Sequence, residues 1–276
     1  MGDDREVTAG PRTFDGAAFR TADLVAAKAG RSVTVCIPAR DEERTVGAVV
    51  AAVRQAHASE GGGSGLVDEV LVVDDGSRDG TAVAAVAAGA RVLTVRDGGG
   101  KGAAMAAGVA ASGGDVVVFL DADVENTTAG FVAGLLGPLL TEDDVALVKG
   151  FYQRPLDGEA SGGGRVTELM ARPLIEVLFP TLLEVRQPLA GETAAPRWVL
   201  EKLQLAPDYG VELGMLVDVA ARFGAGSVAQ VDLGVRVHRN RSLDELRPQA
   251  VQVLRAALLR SGLPMARSGL PVDGGG

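Results

Sequence analysis

The chain has 276 residues, 47% of them apolar and only 4% aromatic, with a formal net charge of −9. That is enough for one large domain, or one domain with an appendage, around a core of small aliphatic side chains. The acidic balance excludes a general nucleic-acid binder, and the single cysteine, Cys36, excludes a disulfide framework and fits a reducing cytosol.

The opening "MGDDREVTAGPRTFDG" is polar and acidic, unlike a signal peptide. Residues 1–30 read as a loosely ordered lead-in with a short helix over "TADLVAAKAG". From Ser32 strands and helices alternate. "SVTVCIP" reads as a strand with Cys36 as a small core residue, and "EERTVGAVVAAVRQAHA" as a helix ending near His57. "SEGGGSG" connects it to the strand "DEVLVVDD", the helix "DGTAVAAVAAG" and the strand "ARVLTV". Next come a small-residue helix, "GKGAAMAAGVAAS", and the strand "DVVVFL". The longest uncharged run, Asn126 to Thr141, has 16 residues broken by Gly and Pro, too few for a membrane span. A soluble, cytoplasmic protein is expected, with neither a membrane nor a nucleic acid as partner.

"DVALVKGFYQRP" reads as a fifth strand. "LDGEASGGGRVTELMARPLIEVLF" is a glycine loop feeding a helix that Pro173 restarts or kinks. "QPLAGETAAPRWVLEKL" reads as loop then helix, followed by "APDYGVELGMLVDVAARFG", a late strand in "GSVAQVDLGVRVHRNR", and a terminal helix from "SLDEL" with Ser242 and Glu245 as a capping box. The tail "LPVDGGG" reads as disordered. The near-continuous apolar strands imply an α/β fold, a mostly parallel Rossmann-like sheet with helices on both faces. Right-handed crossovers then gather "PARDEE", "DDGSRDGT", "GGGKG" and "DADVEN" at one sheet edge, where such folds bind ligands.

Those loops carry the candidate chemistry. Asp121 and Asp123, two apart on an extended backbone, face one side, where they suit either a hard cation such as Mg²⁺ or Mn²⁺ or a solvated turn. Asp75, closing "VVDD", can accept from a base or ribose or belong to an ordinary turn. Glu42 can accept from ribose hydroxyls or complement a helix N-terminus. "GGGKG" offers backbone N–H groups and the Lys101 ammonium to an anion. His238 sits at a strand end among Arg236, Arg239 and Arg241, a local positive cluster that can oppose diphosphate. His57 reads as a helix cap.

In this order, "IPARDEE", "VVDDGSRDGT", "GKGAAM" and "FLDAD" resemble the GT-A glycosyltransferases, which use nucleotide-diphosphate sugars. "GGGRVTELMARPL", "QPLAGE", "YGVELGMLVD" and "GVRVHRNRSLDEL" narrow the likeness to the glucosyl-3-phosphoglycerate synthase family, a retaining group, over Arg31 to Leu246. The resemblance implies a nucleotide-sugar-binding half over 31–152 and an acceptor half over 153–262 of one catalytic domain, with 263–276 as the tail.

It also implies a donor site for UDP-glucose or another NDP-glucose. That site comprises Pro38, Ala39, Arg40, Asp41, Glu42, Asp75, Lys101, Asp121 and Ala122, with Tyr209, Gly210, Val211 and Glu212 lining the glucose. Asp123 and His238 would hold Mg²⁺ or Mn²⁺. Gly164, Arg165, Val166, Thr167 and Asn240 would bind 3-phosphoglycerate, and Glu212, Asp123 and Lys101 would carry the chemistry in a homodimer. Three positions depart from the pattern: Arg40-Asp41 where Leu-Asn is typical, Asp75 for a smaller polar residue, and Ala190 for Ser. The first two leave uridine and guanosine open. A polyprenyl-phosphate glycosyltransferase shares the early motifs but needs a membrane segment, and a non-catalytic nucleotide-sugar sensor needs no acceptor pocket.

Overall fold

The computed structural model describes residues 10–57, 65–96, 98–156, 159–161, 164–236 and 243–263. Its strands are β1 (Arg12–Asp15), β2 (Val33–Ala39), β3 (Glu69–Asp74), β4 (Arg91–Thr94), β5 (Val116–Phe119), β6 (Leu147–Leu156), β7 (Glu159–Ser161), β8 (Thr193–Pro196) and β9 (Val228–Val235). The α-helices are α1 (Thr21–Ala27), α2 (Val46–His57), α3 (Thr81–Ala87), α4 (Lys101–Ala111), α5 (Ala129–Thr141), α6 (Arg172–Leu178), α7 (Arg197–Leu200), α8 (Val211–Phe223) and α9 (Leu243–Ser261).

Eight strands form one sheet in the order β1-β9-β6-β8-β5-β2-β3-β4, and β7 pairs with the far end of β6. Every neighbouring pair in the eight is parallel except those of β8, which runs antiparallel to both β5 and β6. Alternate strand residues feed two apolar layers. Val33, Val35 and Ile37 of β2 face the layer holding α2 and α5, while Cys36 faces the layer holding α4, α8 and α9. The buried Cys36 thiol is pushed well above its ordinary range by burial, in keeping with a packing role. At Gly108 an added Cβ would sit 2.3 Å from Cys36 Sγ, so α4 lies close on the sheet only because that position is glycine.

Four elements depart from the sequence reading, one of them β7, which lies in the stretch "LDGEASGGG" read as a glycine loop. The lead-in contains an edge strand, β1, which pairs with β9 and anchors Arg12 to Glu142 and Asp144; the expected helix over 21–27 is present. The uncharged run around residue 135 is α5, a helix buried on all sides, in which Gly137 makes room for the Phe19 ring. "ETAAPR", read as loop, supplies β8, whose neighbours on both sides override its weak strand propensity.

The other described strands and helices fall where the sequence placed them. A π-helical turn over Thr167–Ala171 precedes α6, where Pro173 lacks the N–H that regular winding requires. Among the described residues no helix is long and apolar enough to cross a membrane. Ser242 of the proposed capping box and the tail beyond residue 263 lie outside the described residues.

Candidate active site

The parallel strands deliver their ends to one edge, and β8, being antiparallel, delivers its beginning there. Phe119 of β5 is opposite Thr193 of β8, so Glu192 arrives beside Leu120 and Asp121. Four carboxylates meet at this edge with the half-buried Lys101 and the buried Lys149 and Arg236.

Lys101 opens α4 and is tied to two of them, with Nζ 2.7 Å from Asp121 Oδ1 and 2.6 Å from Glu212 Oε1 in the first turn of α8. Burial works against the Lys101 charge, but the two carboxylates outweigh it and raise the ammonium well above its ordinary range. Arg236, immediately after β9, donates through Nη2 to Asp121 Oδ2 at 2.9 Å and Asp123 Oδ1 at 3.2 Å. Its Nη1 reaches Tyr152 Oη and Glu192 Oε2 at 3.1 Å. Burial alone would lift Asp121, yet Lys101 and Arg236 together hold its carboxyl well below the usual range. Glu192 is the opposite case: burial, against the pull of Arg236, raises it.

Two details correct the sequence reading. Asp121 and Asp123 follow the end of β5 in a turn, not on an extended strand, and the shared guanidinium of Arg236 brings them together. Arg236, read as part of a local positive cluster, is buried among carboxylates. Its charge is consumed by the two aspartates that a cation would otherwise have to reconcile.

The glycine loop before α4 also differs. Gly99 and Gly100 donate to the Asp75 oxygens at 2.7 and 3.0 Å, and Ala103 donates to Pro207 O at 2.8 Å. Those N–H groups are satisfied within the protein, by the Asp75 carboxylate and a backbone carbonyl. Asp75 is buried and shapes the loop, with Arg40 Nη1 3.7 Å away. Gly100 takes φ 92°, a left-handed conformation that glycine adopts readily.

At the end of β2, Pro38 is half-buried, Ala39 buried and Arg40 exposed. Asp41 has φ 56°, a region tolerated by both Asp and Asn, so its replacement of the expected Asn keeps the turn. Its backbone N donates to Ser77 Oγ and its Oδ1 accepts from Arg78 N, which ties the first two site loops together. Glu42 sits at the entry to α2, accepting from Thr45 Oγ1 at 3.1 Å. Ala122 is buried between the two aspartates. Tyr209, half-buried, and the buried Gly210 and Val211 lead into α8 beside Glu212. Gly164, Arg165, Val166 and Thr167 form the first turn of the helical stretch that continues into α6. Glu168 N donates to Gly164 O at 3.0 Å, Arg165 is exposed and Thr167 is buried.

His238, Arg239, Asn240 and Arg241 lie outside the described residues. Among the described residues no group of three or more His, Cys, Asp or Glu side chains converges on a metal position. Asp123, partly exposed beside Asp121, offers the hard oxygen donors that Mg²⁺ or Mn²⁺ favours.

Sequence reasoning passed over Lys149, Tyr152 and Glu192. Lys149 did carry a signal, a charged residue inside the apolar run "VALVKGFY", where an ammonium must find partners. Glu192 closes "QPLAGE", one of the stretches that carry the resemblance, but gained no role there, because nothing local marks β8 as the strand that brings it to the edge.

The family model "Glycosyl transferase family 2" matches residues 34–175. Glucosyl-3-phosphoglycerate synthase of Mycolicibacterium paratuberculosis is 47% identical over 275 residues, covering 94% of this chain and 81% of that protein. A crystal structure of the Mycobacterium tuberculosis glucosyl-3-phosphoglycerate synthase with Mn²⁺, UDP-glucose and phosphoglyceric acid aligns at TM-score 0.84 and 44% identity, covering 94% of this chain and 90% of that one. Another, with Mg²⁺ and UDP, aligns at TM-score 0.83 and 44% identity, covering 93% and 88%. With its sheet order, its edge cluster and these likenesses taken together, the chain belongs to the glucosyl-3-phosphoglycerate synthase family of the GT-A-type glycosyltransferases.

Proposed function

We propose that the protein is a retaining glycosyltransferase that moves glucose from UDP-glucose to the 2-hydroxyl of 3-phosphoglycerate. The observation that carries this reading is the buried cluster in which Lys101 joins Asp121 to Glu212 and Arg236 joins Asp121 to Asp123. It lies at the sheet edge where α/β folds bind nucleotides. Relatives similar over most of the chain have been solved with UDP-glucose, phosphoglyceric acid and Mn²⁺, or with UDP and Mg²⁺.

Asp123 and His238 would hold the divalent cation, which when bound neutralises charge on the departing diphosphate. In the transfer, the bond from glucose C1 to the diphosphate oxygen breaks and a bond from C1 to the acceptor oxygen forms. The acceptor's hydroxyl proton passes to the diphosphate oxygen leaving from the same face. Lys101 supplies positive charge to that oxygen. Glu212 is already paired with Lys101 at 2.6 Å, which weakens it as a nucleophile and suits it to orient glucose hydroxyls. Pro38 to Glu42 and Asp75 frame the nucleoside, Asp75 doing so by anchoring Gly99 and Gly100. Arg239 and Arg241 add charge near the diphosphate. Gly164 to Thr167 and Asn240 receive the phosphoglycerate, in a cytoplasmic homodimer.

Proton NMR of the product tests the reading. An α-linked glucosyl phosphoglycerate formed from α-linked UDP-glucose is expected; a β-linked product, or UDP with free glucose alone, would contradict it.

A further inference from the structure

Lys149 is the third residue of β6 and its side chain is fully buried. An ammonium removed from water must be compensated, and most buried lysines are matched by a carboxylate in contact. Here Nζ donates instead to two neutral acceptors, Ala190 O at 2.5 Å and Thr193 Oγ1 at 3.0 Å. Among the described residues no carboxylate lies within ion-pair distance of it. Purely structural bonding to a carbonyl and a hydroxyl does not require a formal charge.

The segment it grips explains the choice. Residues 187–192 connect to β8 and are held from below by three residues of β6. Lys149 holds Ala190, Gly150 N donates to Glu192 O at 2.8 Å, and Tyr152 O accepts from Gln187 Nε2 at 2.6 Å. On its other side the segment touches the cluster. At Gly191 an added Cβ would stand 2.1 Å from Asp121 Oδ1, so the backbone itself walls that carboxylate. The next residue, Glu192, holds Arg236. Among the described residues, Asp121, Asp123, Glu192 and Glu212 pair with Lys101 and Arg236. A third cation beneath them adds positive charge under carboxylates that a diphosphate sugar would meet.

On the transferase reading above, on which this assignment rests, we infer that Lys149 is a positioning residue for the glucosyl donor. Through Ala190 and Thr193 it fixes the Gly191 backbone against Asp121, and it keeps a positive charge under the carboxylates that face the diphosphate sugar. Burial lowers its pKa to about 8; Lys101 of α4 pushes the same way, while Glu212 of α8, Glu192 before β8 and Asp121 after β5 oppose it. A neutral amine still donates to both acceptors, so the segment stays in place above that pH while the charge is lost. Donor use should therefore fall on the alkaline side of about pH 8.

The test compares wild type with Lys149→Met, Thr193→Val and Gly191→Ala, using UDP-glucose, 3-phosphoglycerate and Mg²⁺, with calorimetric titration of UDP-glucose alongside the rates. Lys149→Met should raise the donor KM and Kd about tenfold or more, the scale of one charged contact. It should leave the acceptor KM within about twofold and abolish the alkaline limb of kcat/KM for the donor. Gly191→Ala and Thr193→Val should raise the donor KM while keeping that limb, because the ammonium remains. The inference falls if wild type transfers glucose and Lys149→Met matches it in donor KM and pH profile, or loses both substrates equally. Should Lys149→Met not fold, unchanged donor affinity in both other variants would overturn it. A wild type that binds UDP-glucose without transferring it defeats the transferase reading, and the donor Kd values then decide on Lys149.

Discussion

Lys101 Nζ stands 2.6 Å from Glu212 Oε1, joining the first residue of α4 to the first turn of α8 across the mouth of the site. The same ammonium holds Asp121, so one lysine keeps two nearly buried carboxylates compatible with folding.

Removing it therefore acts twice. Lys101→Met should cut turnover by about ten- to a hundredfold, the value of a charged hydrogen bond to substrate. It should also destabilise the fold by roughly 3–5 kcal/mol, because two carboxylates lose a cation in a site with little water. Adding Glu212→Gln should restore part of the stability and none of the turnover. Urea unfolding and initial rates measure both; a single variant as stable as wild type would mean the pair contributes nothing to folding.

Asp123→Ala removes a partly exposed carboxylate that shares Arg236 with Asp121. Thermal unfolding should shift little, while turnover collapses and no longer responds to added Mg²⁺ or Mn²⁺. Full activity of this variant in saturating metal would exclude Asp123 as a ligand.

Arg165 is exposed at the first turn of its helical stretch, where backbone N–H groups and a guanidinium can grip a phosphate. Arg165→Ala should raise the KM for 3-phosphoglycerate about tenfold or more, and Thr167→Ala less, since a neutral hydroxyl contributes less. The donor KM should hold steady. Equal use of glycerate and phosphoglycerate by the wild type, with Arg165→Ala neutral, would remove the phosphate site.

Much of this was legible from residues alone. Near-continuous apolar strands alternating with helices announced a parallel sheet, and its four polar loops fell on the edge that now holds Lys101, Asp75 and Asp121. The rest was hidden for physical reasons. β8 is a four-residue strand, "TAAP", whose place between β5 and β6 comes from tertiary pairing and not from its own propensity. Without β8 nothing predicts that Glu192 reaches Arg236 or that Gly191 abuts Asp121. α5 was obscured by glycines that read as breakers but serve as contact points, as Gly137 does for Phe19.

The buried lysine makes a prediction about stability as well. The folded-state pKa of Lys149 is about 8, below the ordinary 10.5, so between those values the unfolded chain holds a proton that the folded one has lost. Stability attributable to this residue should rise with pH through that window, and below it the buried charge costs roughly 3 kcal/mol. Wild type should thus gain on Lys149→Met by about that amount between pH 7.5 and 10.5 in urea midpoints converted to free energy. A gap moving the other way would show that the folded protein holds the proton more tightly than the unfolded chain.

UDP release, followed continuously with UDP-glucose and with 3-phosphoglycerate present or withheld, in Mg²⁺ and in chelator, tests the central claim most directly. The cluster at the sheet edge and the proposed acceptor turn over 164–167 predict rapid release that needs the acceptor and the metal together, with one glucosyl phosphoglycerate formed per UDP. Release at the same rate without phosphoglycerate, or undiminished transfer in chelator, would contradict it.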